Sequence, residues 1–200
     1  MSQRPNTEPD MPAILSRLAV LTSLLLLTTF GVGWASWARN AERGNDTLFM
    51  VHFFLGLTVV LVCIGVHCLI FIYFLGTGRW VKEVARAYRL PDDPLPKKTR
   101  ELKRKAFPPA LFAMLVPIAA AAAGTAAQRR EWHWAYHAGL AVATILVNLW
   151  AFGVELRCVR ANVGVLDNVM REVDRIRAEN GLPSNDEALR QEAEAVDRGS

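Results

Sequence analysis

Two hundred residues would suffice for one ordinary soluble domain, but 52% of them are hydrophobic and they gather in long stretches without a charge. Four such stretches, Leu18–Ala38, Thr47–Gly78, Ala106–Gln128 and Trp132–Val154, take up half the chain and leave little for a separate water-soluble core. The net charge of +4 does not point to nucleic acid either, because the basic residues flank the apolar runs and no basic domain with stacking aromatics is present.

The runs hold 21, 32, 23 and 23 residues. At about 1.5 Å of rise per residue, roughly 20 residues cover a hydrocarbon core about 30 Å thick. A backbone in lipid must satisfy its own hydrogen bonds, as a helix or as a closed barrel. Barrel strands alternate apolar and polar residues, and Leu24–Leu27 and Val59–Val62 do not. The prediction is an all-α polytopic membrane protein, a four-transmembrane-helix bundle with a cytoplasmic helical loop and a C-terminal helix. Its spans cover about 14–37, 48–76, 108–128 and 133–156. Residues 1–12 are expected to be a flexible cytoplasmic N-terminus. Residues 13–158 form the membrane domain, including a basic loop at 79–106, and 159–200 a helical tail.

The first run has a rival reading as a cleaved signal peptide, with Ser36-Trp37-Ala38 as the small-x-small site. Glu8 and Asp10 weaken the positive region before it, and its apolar length favours retention as a membrane helix. Between runs one and two the only Lys or Arg residues are Arg39 and Arg43, and between runs three and four Arg129 and Arg130. Ten Lys and Arg residues, from Arg79 to Lys105, fill the middle loop. The positive-inside rule therefore sets both termini and that loop in the cytoplasm of a bacterial inner membrane. Trp34, Trp37, Trp132 and Trp134 then form an outer aromatic belt, with Trp80 just inside. Cys63, Cys68 and Cys158 make no CxxC pair and read as small packing residues.

In the loop, Gly76-Thr77-Gly78 is expected to end the second helix. Arg79–Arg89 then reads as a short amphipathic helix, with Trp80, Val84 and Tyr88 opposite its basic residues. Such a face suits anionic headgroups or the protein's own tail. Pro91, Pro94 and Pro96 break the chain, and a polar helix over Lys97–Lys105 precedes Pro108-Pro109, which opens the third span. In the tail, Val159, Val163, Leu166, Met170 and Val173 recur as a short heptad seam, expected to dock on the loop or on another subunit. Asn180-Gly181 with Pro183 stops that helix, and Ser184-x-x-Glu187 is a capping box that starts another.

Polar residues inside the spans point to function. His137, Thr144, Asn148 and Glu155 fall on one stripe of the fourth helix, and His52, Gly56, Cys63 and His67 on one stripe of the second. These helices run in the same direction, so His52 and His137, each near the start of its run, are at similar depth. His67 lies 15 residues deeper than His52, about 22 Å, with Asn148 as its nearest polar neighbour in depth. Three readings compete. His52 and His137 could be axial ligands of a haem b in an electron carrier, with Gly56 and Ala141 admitting the macrocycle. The stripe could serve a small transporter or carry protons. The leading expectation is that these groups join helices by hydrogen bonds, His67 pairing with Asn148 or a backbone carbonyl.

No HExxH, GxSxG, Walker loop or metal-spaced Cys/His set is present, and His133 and His137 alone supply no closed metal site. The stretch Tyr73–Val84, with His137, Asn148–Phe152 and Glu155, resembles a family of small four-helix bacterial membrane proteins. The resemblance implies a bacterial inner-membrane setting and transfers no activity. The functional expectation is a non-catalytic accessory or assembly subunit, binding lipid and a membrane-protein partner or a second copy.

Overall fold

A computed structural model describes residues 10–39 and 47–199, and among them it holds five helices and no strand. These are α1 Met11–Ala38, α2 Thr47–Ala87, α3 Leu95–Gln128, α4 Trp134–Glu179 and α5 Asn185–Gly199. The first four are long and apolar enough to cross a membrane. The expected flexible N-terminus falls mostly outside the described residues, as do Glu8 and Arg43, and helix already begins at Met11.

The chain divides into two compact units, Met1–Tyr73 with Arg104–Val159, and Phe74–Lys103 with Arg160–Ser200. The first is the four-helix bundle. Each helix buries one stripe at steps of three, four or seven: Leu15, Ala19, Thr22 and Leu26 on α1, Val59, Cys63, Val66 and Ile70 on α2, Ala106, Ala110, Ala113 and Ala120 on α3, Thr144, Asn148, Ala151 and Glu155 on α4. The outward residues are the large ones: Leu21, Leu61, Ile72 and Leu146 are each more than 60% exposed. His67, Asn148 and Glu155 are fully buried instead. Water would favour the reverse order, whereas a lipid solvent accepts an apolar exterior around a partnered polar interior.

α3 is the slim helix, and its buried alanines let neighbours approach closely. Three prolines lie within it, Pro108, Pro109 and Pro117. Pro117 has no N–H to give the carbonyl of Ala113, four residues earlier. Asn148 Nδ2 of α4 supplies the missing donor, 3.3 Å from the Ala113 oxygen. A proline in a spanning helix is tolerated when a neighbour satisfies the freed carbonyl in this way.

The helix boundaries differ from those expected. Gly76-Thr77-Gly78 does not end α2, Pro108-Pro109 does not start α3, and α4 continues unbroken to Glu179. Apolar runs stop at a bilayer surface, but helices need not stop there. Continuity also fixes the phase of the basic segment. Phe74, Val81 and Ala85 are buried, Val84 and Tyr88 half-buried, and Trp80 is exposed, so the inward face is rotated from the expected Trp80-Val84-Tyr88 line. On α4 the buried line in the second unit is Asn162, Val165, Val169 and Val173, with Leu166 and Met170 half-buried beside it. Asn162 Nδ2 donates to Thr77 Oγ1 (3.2 Å) and Arg177 Nη1 to the Tyr88 hydroxyl (3.2 Å), so the basic helix packs along the tail.

The expected stop and restart of the tail are both present. Gly181 takes φ +70°, the left-handed cap that glycine adopts without strain, and Leu182 N–H returns to the Arg177 carbonyl at 2.9 Å. Ser184 N–H donates to Glu187 Oε2 (3.0 Å) and Glu187 N–H to Ser184 Oγ (3.3 Å), a reciprocal capping box.

Candidate functional site

His52 and His137 do meet. Their ring centres are 5.9 Å apart, with the planes at 73°. Each ring is held in the same way. His52 Nδ1 lies 3.0 Å from the carbonyl of Thr29 on α1, and His137 Nδ1 lies 2.9 Å from the carbonyl of Ala120 on α3. A carbonyl only accepts, so Nδ1–H donates in both, and Nε2 of each neutral ring keeps its lone pair.

A glycine makes each of these contacts possible. Gly33 stands four residues after Thr29, and Gly124 four residues after Ala120, so each lacks a side chain where the imidazole reaches the carbonyl. A Cβ on Gly33 would lie 2.5 Å from His52 Cε1, and a Cβ on Gly124 would lie 3.0 Å from His137 Cε1 and Nδ1. Carbonyl, glycine four residues on, and histidine from the next helix thus recur in α1–α2 and in α3–α4. Sequence reading found the histidines but not this repeat, because a glycine in an apolar run gives no periodic signal. The spacing Thr29–Gly33 and Ala120–Gly124 shows its meaning only beside the facing helix.

Both rings line a partly open cavity of about 180 Å³. Leu26, Phe30, Val59, Ala141 and Ile145 are among its walls, together with Gly56 and Thr144. Leu26, Val59 and Cys63 close the core beneath it. Aromatic residues crowd the same end of the bundle. Trp37 packs against Trp34 and Trp134 with tilted rings, each pair at 5.0 Å, while Trp132 meets Tyr136 at 6.0 Å. His133 lies just before α4, exposed, with its Nδ1 accepting from Ala135 N–H, so it does not share a ligand position with His137. Among the described residues no three His, Cys, Asp or Glu side chains gather as a metal set.

The second constellation lies deeper in the bundle. His67 Nδ1 is 2.7 Å from Glu155 Oε1, and His67 Nε2 is 3.0 Å from Asn148 Oδ1. Asn148 Nδ2 donates to the carbonyls of Thr144 (2.9 Å) and Ala113. Thr144 itself donates to the Leu140 carbonyl. Phe152 stacks on the His67 ring at 5.0 Å and 16°. The expected His67–Asn148 pairing is there, and Glu155 joins it from the other side. The clue was Asn148 and Glu155 seven residues apart on one stripe, a gap that an imidazole bridges with its two nitrogens.

Comparison with protein-family models, with curated proteins and with solved structures finds no match. What the chain can do is therefore argued from its own geometry.

Proposed function

We propose that the protein is a membrane electron carrier that binds haem b between His52 and His137. The observation that carries this reading is the matched pair of imidazoles, each anchored through Nδ1 on a backbone carbonyl and 5.9 Å from the other. His52 and His137 would hold the haem iron through Nε2, the nitrogen that each carbonyl contact leaves free. Two protein nitrogens in a mostly apolar wall make a complete coordination sphere only if the remaining ligands arrive with the cofactor, as they do in a porphyrin. The donor set fits haem. The cavity takes less than a whole macrocycle, so binding also requires the walls to part.

Haem, when bound, supplies a one-electron couple. The chain supplies the rest: Thr29 and Ala120 fix tautomer and ring orientation, Gly33 and Gly124 give the rings room, and Leu26, Phe30, Val59 and Ile145 keep water away. Basic residues concentrated between Arg79 and Lys105 support a cytoplasmic middle loop and cytoplasmic termini in a bacterial inner membrane. They also suit anionic headgroups. Protein purified in mild detergent is predicted to show a Soret band, lost in both His52→Ala and His137→Ala. A colourless preparation that takes up no added haem sinks the proposal.

A second reading, recruitment of a membrane-protein partner as an accessory subunit, is supported by α5. Leu189 and Val196, seven residues apart on one face of that helix, are 59% and 67% exposed. Crosslinking from these positions in native membranes tests it: products with one larger complex support it, and none at all counts against it.

A further inference from the structure

The deeper constellation is not used by the haem reading and stands without it. We propose that His67 and Glu155 together form a one-proton site, a proton store in the bundle that is closed at Asn148. The argument begins at Pro117. Because Pro117 leaves the Ala113 carbonyl without its helical donor, Asn148 must turn Nδ2 toward it, and the same amide also reaches the Thr144 carbonyl. Asn148 Oδ1 then faces His67 Nε2 at 3.0 Å, and an amide oxygen only accepts. His67 Nε2 therefore carries hydrogen.

The other ring nitrogen faces Glu155 Oε1 at 2.7 Å, with both side chains fully buried. A neutral ring with its hydrogen on Nε2 would set the Nδ1 lone pair against a carboxylate lone pair. One additional proton between Nδ1 and Oε1 removes that clash and makes the pair neutral as a unit. The proton lies on the ring or on the carboxyl. Passing from Oε1 to Nδ1 breaks O–H and forms N–H, and the O–H electron pair stays on the carboxylate.

Nothing charged within the bundle competes for this proton. On α1 the buried residues are Leu15, Ala19, Thr22, Leu26, Thr29 and Ser36, and its single charge, Arg17, is exposed. α2 offers Cys63 and Cys68, and α3 offers Arg104 and Lys105, both exposed. On α4, Arg157 is exposed and Cys158 is buried, within electrostatic reach of Lys105, Arg157 and Glu155. The site is closed at one end because a carboxamide cannot pass a proton onward as a hydroxyl or a water does. At the other end Glu155 Oε2 is buried with no hydrogen-bond partner.

The test uses wild-type protein labelled with ¹⁵N-histidine and ¹³C-glutamate, in bilayers at neutral pH. Nitrogen–carbon recoupling selects His67, whose ring touches a glutamate carboxyl. Two N–H nitrogens beside a carboxylate, or one N–H on Nε2 beside a carboxylic acid, is the expected result. One N–H beside a carboxylate, or two beside a carboxylic acid, overturns the proposal. Proteoliposomes under a pH gradient test the closed end. A leak that Glu155→Gln abolishes overturns it, and a leak absent or indifferent to that substitution supports it. Neither readout involves haem, so failure here is distinct from failure of the electron-carrier reading.

Discussion

Adding one methyl group at either of two glycines on α1, two residues apart, should have opposite consequences. At Gly31 a new Cβ meets nothing within 4 Å, so Ala gains the helix propensity that Gly lacks, about 0.5–1 kcal/mol. At Gly33 the same atom would lie 2.5 Å from Cε1 and 2.7 Å from Nδ1 of His52. Real carbon atoms do not approach so closely, and the ring must leave its place. Overpacking costs about 1–3 kcal/mol and the lost Nδ1–carbonyl bond about 1 kcal/mol, against a propensity gain of up to about 1 kcal/mol. Gly33→Ala is therefore destabilising by roughly 1–3 kcal/mol and Gly31→Ala is stabilising, a separation of about 2–4 kcal/mol. Unfolding in mixed micelles by a denaturing detergent, followed by circular dichroism, measures both. Haem content provides a second readout: retained in Gly31→Ala, lost or sharply reduced in Gly33→Ala. Equal shifts for the two variants would refute the claim that Gly33 exists to seat His52.

Three further outcomes follow from other parts of the chain. Asn148→Leu strips the partners from His67 Nε2 and the Ala113 carbonyl together and should cost about 2–6 kcal/mol in the same assay, at about 1–3 kcal/mol for each orphaned group. Glu187 is held below the usual carboxylate range by the Ser184 backbone N–H and then by the Ser184 hydroxyl. A depressed folded-state pKa gives stability that is present above the unfolded value and lost as pH falls through the folded one, so amide exchange in α5 should accelerate on acidification. Ser184→Ala, worth about 1 kcal/mol as an N-cap, should raise that exchange at every pH. Arg130 ends α3 at φ +62°, with Glu131 N–H returned to the Ala126 carbonyl. Arg130→Gly should therefore raise stability by about 0.5–1 kcal/mol and Arg130→Val lower it, by the strain a β-branched residue meets in that region.

The four spans were legible because charge is excluded from a hydrocarbon core whatever the protein does there. Helix ends were not, because Gly76-Thr77-Gly78 and Pro108-Pro109 carry local stop and start signals that tertiary packing overrides. The phase of α2 passes through the glycines, and this is why Val81 and Ala85, rather than Trp80, face inward. Depth counting brought His52 and His137 to one level and His67 to Asn148, since rise per residue is fixed in a helix. It had no means of finding Thr29 or Ala120, which act through backbone carbonyls that every residue has. Glu155 was visible on its stripe, and its role depended on the ring geometry of His67.

Whether His52 and His137 bind haem decides the account more directly than any stability change. Electron paramagnetic resonance of the oxidised protein, purified in mild detergent from haem-replete cells, should show a low-spin centre with two imidazole ligands that becomes high-spin when either histidine is replaced. A protein that stays free of haem, or a low-spin signal that survives replacement of both, would contradict it.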